Sequence, residues 1–118
     1  MHLIRTAEEM ARALDSPLDA ELKCLLLAHA ERLEEFGGID GLAEFLIVEA
    51  GDALADVEAA YSTRLVVDGS FAFAAELVIS HAQWFEVVWI ISDDGFGLVL
   101  FVQDHPETDS DIISACRQ

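Results

Sequence analysis

Two apolar runs, Trp84 to Ile91 and Leu98 to Gln103, separated by Ser92-Asp93-Asp94-Gly95-Phe96-Gly97, constrain the fold of this chain more than any other feature. Both are rich in β-branched and aromatic residues, and the Asp-Gly step between them suits a tight turn, so they read as a β-hairpin. Side chains alternate across a strand, which puts Phe85, Val87, Trp89 and Ile91 on one face and Trp84, Glu86, Val88 and Ile90 on the other. Both faces are then largely apolar and both need cover. One long helix covers one face; the second needs short helices or another copy of the chain, and a homodimer is the expected assembly.

The long helix is expected over 17–36. Ser16 suits its N-cap, Pro17 its first position, Asp19 and Glu21 the positive end of its dipole, and Gly37-Gly38 its stop. Leu18, Leu22, Leu25, Leu26, His29, Leu33 and Phe36 recur at helical spacing as a buried stripe, with Glu31, Glu34 and Glu35 turned to water. Shorter helices are expected over 7–14, behind a Thr6/Glu9 capping box, over 53–61 behind Asp52, and over 109–115 behind Thr108 or Asp109. Residues 43–49 read as a further strand and 65–75 as an irregular connection around Asp68-Gly69-Ser70, while 76–81 fits a helical turn or a strand. The fold class is therefore α+β: a small antiparallel or mixed sheet of about three strands (43–49, 84–91, 98–103) against one long helix, with shorter helices around it. At 118 residues the chain has the size of a single domain.

Charge narrows the possible partners. The chain has 23 acidic and 6 basic side chains, a formal net charge of -17, and after Arg64 the one remaining base is Arg117. Such a field repels nucleic-acid phosphates and anionic lipid and attracts a basic protein surface. The longest apolar runs, Val87 to Ile91 and Leu98 to Val102, are too short to span a bilayer, and Met1 to Met10 lacks the apolar core of an export signal, so the expected location is cytoplasmic. Cys24 and Cys116 show no CxxC spacing and read as free thiols, Cys24 with an inert packing role among Leu25, Leu26 and Leu27.

One local motif has a family likeness. Val48-x-x-Gly51-Asp52-x-Leu54-x-x-Val57-x-x-x-Tyr61 resembles the strand-turn-helix half of a LysM module, and the resemblance implies a Gly-Asp turn capping a helix beside loops that contact N-acetylglucosamine chains. It covers Val48 to Tyr61 only; beyond Tyr61 the spacing of a second short helix and closing strand is not found.

Candidate chemistry is sparse. Asp104, His105, Glu107, Asp109 and Asp111 make an oxygen-rich run, but without the central glycine and twelfth-position glutamate of an EF-hand it reads as a solvated loop. No metal and no cofactor is expected. Four histidines show no HExxH or HxH pairing, and His29 on an apolar helix face reads as a core histidine. The candidate catalytic residues are His81 and Glu86, a histidine and a carboxylate close enough in sequence to form an acid-base pair. Candidate partner-binding residues are Asp93, Asp94 and Phe96 at the hairpin tip together with Asp104, Glu107, Asp109 and Asp111. The expected function is that of a non-enzymatic interaction, inhibitor or regulator module for a basic partner, with no direct nucleic-acid or membrane binding. The alternative is a small enzyme using a His-carboxylate site at a dimer cleft, and a remoter one is LysM-like glycan binding.

Overall fold

The computed structural model describes residues 1–35, 37, 39, 43–72, 75–90 and 97–117. In chain order the elements are β1 (His2–Ile4), α1 (Ala7–Asp15), α2 (Ala20–Glu34), β2 (Ala43–Val48), α3 (Leu54–Tyr61), β3 (Val66–Val67), β4 (Ser70–Phe71), β5 (Ala75–Ser80), β6 (Trp84–Ile90), β7 (Gly97–Gln103) and α4 (Ser110–Cys116). Five strands form one mixed sheet in the order β1-β2-β7-β6-β5, and β3 pairs with β4 in a separate ribbon. The two apolar runs do pair antiparallel, from Trp84 opposite Gln103 to Ile90 opposite Gly97. β7 also runs parallel to β2, Ala43 opposite Gly97 through Val48 opposite Val102. This central position explains its almost unbroken apolar sequence, because a strand between two neighbours and two covering layers has no polar side.

The sheet divides the core by strict alternation. Leu46, Val48, Phe85, Val87, Trp89, Leu98, Leu100 and Val102 face one layer, where Val57 of α3, Leu65, Val66 and Phe71 of the ribbon region, and Ile112, Ala115 and Cys116 of α4 close over them. Phe45, Ile47, Trp84, Val99 and Phe101 face the other, under Met10 of α1 and Leu22 and Leu26 of α2. Phe45, Phe101 and Ile112 are fully buried, and each such side chain contributes about 1.5–3 kcal/mol through removal from water.

Four expectations need correction. The sheet has five strands rather than about three, because 2–4 and 75–80 also pair with it. The long helix is not the lone support: α2 has 15 residues, starts at Ala20 and shares its face with α1, while α3 and α4 cover the opposite face. Asp19, not Ser16, is the N-cap of α2; its carboxylate accepts from Leu22 N at 3.1 Å, whereas the Ser16 hydroxyl donates back to the Ala13 carbonyl at the end of α1. The region read as an irregular connection contains the ribbon β3-β4, turned by Asp68 and Gly69 at φ +52° and +80°. Two positive φ values between two paired residues are the signature of a type I′ hairpin, which Asp-Gly adopts at little cost.

Candidate functional site

Glu86 is the single charge in β6, 7 % exposed and on the α2 side of the sheet. Its carboxylate Oε1 lies 2.9 Å from Nε2 of His29, a residue one turn before Arg32 on α2. Arg32 Nη2 lies 3.2 Å from His29 Nδ1. Guanidinium groups only donate, so Nδ1 accepts, the imidazole is neutral, and its proton sits on Nε2 and is donated to Glu86. The result is a chain from exposed Arg32 through buried His29 to buried Glu86, in which both ring nitrogens are occupied. The ring also stands edge-on to Phe45 and Phe101, with centroids at 5.4 and 5.8 Å, and these two rings stack on each other from adjacent strands. Burying a carboxylate is costly without such partners, so the chain fixes the α2 face over the three central strands.

The expected His81-Glu86 pair is not what the structure brings together. Glu86 is satisfied by His29, and no hydrogen bond joins it to His81 among the described residues. His81 follows β5; its backbone N–H donates to the Trp84 carbonyl at 2.8 Å, while its Nε2 is buried with no hydrogen-bond partner among the described residues. The Tyr61 hydroxyl is also buried without a hydrogen-bond partner among the described residues; burial, then the Glu44 charge, pushes its pKa up.

The acidic residues expected to meet a partner separate into three groups. Asp93, Asp94 and Phe96 lie outside the described residues. Asp104 and Asp109 are engaged within the fold: Asp104 pairs with Arg117 at 2.8 Å, and Asp109 accepts from Asp111 N at 2.9 Å and from Leu54 N at 3.0 Å, capping α4 and α3 together. Asp52 therefore does not cap α3. Its carboxylate turns back to Glu49 N at 2.9 Å and the Met1 ammonium at 2.9 Å. Burial works to raise this carboxyl, but those two contacts outweigh it and hold it below the usual carboxylate value. Only Glu107 and Asp111 remain as exposed acids without an ion pair. Among the described residues, no three His, Cys, Asp or Glu side chains converge as a metal site would require.

Other surface features were hidden in the sequence. A groove of about 180 Å³ runs between α1 and α2, with Leu27 at its lip 46 % exposed. At the sheet edge, Leu77 and Val78 of β5 are also exposed. The packing role expected of Cys24 belongs instead to Cys116, since Cys24 is exposed and Cys116 is buried. Burial, then the Asp104 charge, pushes the Cys116 thiol up to about 12, which keeps it protonated and slow. Thiol titration of the native protein should therefore count one fast group, Cys24, with the second appearing on denaturation. Two fast groups would mean that α4 is not seated on the sheet.

Among the described residues no helix is long and apolar enough to cross a membrane. The strand-turn-helix of 43–61 is present, but β2 is an inner strand of a five-stranded sheet and Tyr61 leads into the β3-β4 ribbon rather than a second short helix. No protein-family model, curated protein or solved structure matches this chain.

Proposed function

We propose that this protein is a non-enzymatic interaction module that binds a basic protein partner. The observation that carries the reading is the disposition of its few cations. Five of the six are turned inward on the chain itself: Arg5 to Glu44, Arg12 to Glu8, Arg117 to Asp104, Arg32 to His29, and Arg64 to the Val66 carbonyl. Several exposed acids, among them Glu31, Glu34, Glu107 and Asp111, have no ion pair among the described residues and attract a basic surface. The same field disfavours nucleic acid and anionic membranes. An acid-base enzyme built on His81 and Glu86 is supported less, because the Glu86 carboxylate is taken by His29 inside the core. Affinity capture from a lysate tests the proposal: basic proteins should be retained at low salt and released at high salt. A retained set without basic enrichment would overturn it.

A second reading concerns assembly, and one observation favours it. A homodimer is no longer needed to cover the second sheet face, which α3, α4 and the ribbon occupy. Among the described residues no strand pairs with the outer edge of β5, where Leu77 is 50 % and Val78 37 % exposed. Antiparallel pairing of two β5 strands would satisfy both edges and cover these side chains. Light scattering should then give about twice the 12.9 kDa chain mass, and Leu77→Lys with Val78→Lys should give the single-chain mass at an unchanged melting temperature. A single-chain mass for the unaltered protein at high micromolar concentration would remove this reading.

A further inference from the structure

We propose that the α1-α2 groove receives the apolar face of a basic amphipathic helix from the partner protein; this rests on, and deepens, the reading of the chain as a binder of basic proteins. Ala11 and Leu14 of α1 and Leu27 and Ala30 of α2 line it, and Glu31 and Glu34 stand along one side. The alanines are the reason that the groove exists: small side chains at facing positions leave the two helices unfilled between their outer edges. Its volume of about 180 Å³ is below the roughly 300–1,000 Å³ of small-molecule sites, and suits inserted aliphatic side chains rather than a whole ligand.

Leu27 interrupts the logic of its own helix. Leu22 and Leu26 are buried beneath α2, whereas Leu27 is 46 % exposed beside the groove. One turn later Glu31, and then Glu34, extend the same helix face, and neither side chain has an ion pair among the described residues. An apolar floor with unpaired carboxylates along it selects an occupant that is apolar on one face and basic beside it. A groove running between two helices matches a third helix laid along it, whose anchors recur at i, i+3, i+4 and i+7. A second copy of this chain is the poorer fit, because it would bring further carboxylates to the Glu31/Glu34 side.

Two labelled synthetic peptides of identical leucine and lysine composition test this on the full chain by fluorescence anisotropy. One carries its leucines at i, i+3, i+4 and i+7; the other is scrambled to destroy the apolar face. The amphipathic peptide should bind at least about ten-fold more tightly than the scrambled one, and Leu27→Glu or Ala11→Glu should remove about ten-fold of its affinity, as loss of a buried anchor does. Leu77→Glu, on the β5 edge, should leave it unchanged. Both groove variants alter exposed positions, and circular dichroism should show them folded; binding is read only on folded variants, so one suffices. Equal binding of the two peptides, insensitive to both groove substitutions, overturns the groove proposal while the charge-based reading stands. Absence of binding by either peptide at low salt overturns both. A dimer mass lost on Leu27→Glu would give the groove to a second copy and overturn the proposal as well.

Discussion

Replacing His29 with leucine is expected to destabilise the protein by about 3 kcal/mol or more, because the Glu86 carboxylate would lose its hydrogen-bond donor inside the core. The side chains of this pair are only 11 % and 9 % exposed, so water does not replace the lost contact. Replacing Glu86 alone with leucine should cost less, since the neutral imidazole carries no uncompensated charge. The double variant His29→Leu/Glu86→Leu should recover much of the loss, because removing both partners removes the buried charge with its need for one. Denaturant unfolding of the four proteins gives the coupling directly, expected at about 2 kcal/mol. Single effects that merely add, within about 0.5 kcal/mol, would show that the pair is not coupled and that Glu86 reaches water.

Trp89→Asp is expected to abolish folding. Trp89 is 5 % exposed, near the end of β6, and packs edge-on against Phe71 of the ribbon at 5.6 Å. An unpaired carboxylate at that position costs several kcal/mol beyond the lost aromatic packing, against a total stability of about 5–15 kcal/mol for a domain of this kind. Trp89→Phe keeps an apolar ring there and should remain folded with a lower melting temperature. If Trp89→Asp melted within a degree or two of the unaltered protein, the packing of the ribbon on this sheet face would be wrong.

Much of this fold was legible from alternation and helix signals. The hairpin faces follow directly from period two, and Phe85, Val87 and Trp89 do lie opposite Trp84, Glu86 and Val88. The capping box at Thr6 and Glu9 is formed, with Glu9 N donating to the Thr6 hydroxyl at 3.1 Å. What escaped were mainly elements too short to carry a period, while β5, with six residues, fitted a helical turn as well as a strand. β1 has three residues and β3 and β4 two each, so their pairing is decided by tertiary neighbours rather than local pattern. The Asp68-Gly69 hairpin did carry a signal, the same Asp-Gly step that marked the longer hairpin, but without long flanking strands it reads as a loop.

The site was less legible, for a similar reason. A histidine on an apolar helix stripe and one glutamate in an apolar strand are visible separately, but their separation of 57 residues hides the pairing that only the sheet order creates. Asp109 shows the converse. In sequence it belongs to an acidic run and looks available, whereas in space it caps two helices at once. Its charge therefore serves the fold, and neutralising it would confuse lost binding with lost stability.

The most direct test of the central claim, attraction of a basic partner by uncompensated surface charge, is the association rate with a captured basic protein as a function of ionic strength. Electrostatic steering is screened beyond about 8–10 Å at physiological salt, so the rate should fall at least about ten-fold between about 0.05 and 0.5 M salt. Glu31→Gln/Glu34→Gln should lower the low-salt rate further than Glu107→Gln/Asp111→Asn, since Glu31 and Glu34 line the groove. A rate independent of salt, unchanged in both variants, would contradict the account and leave the acidic surface without a role in recognition.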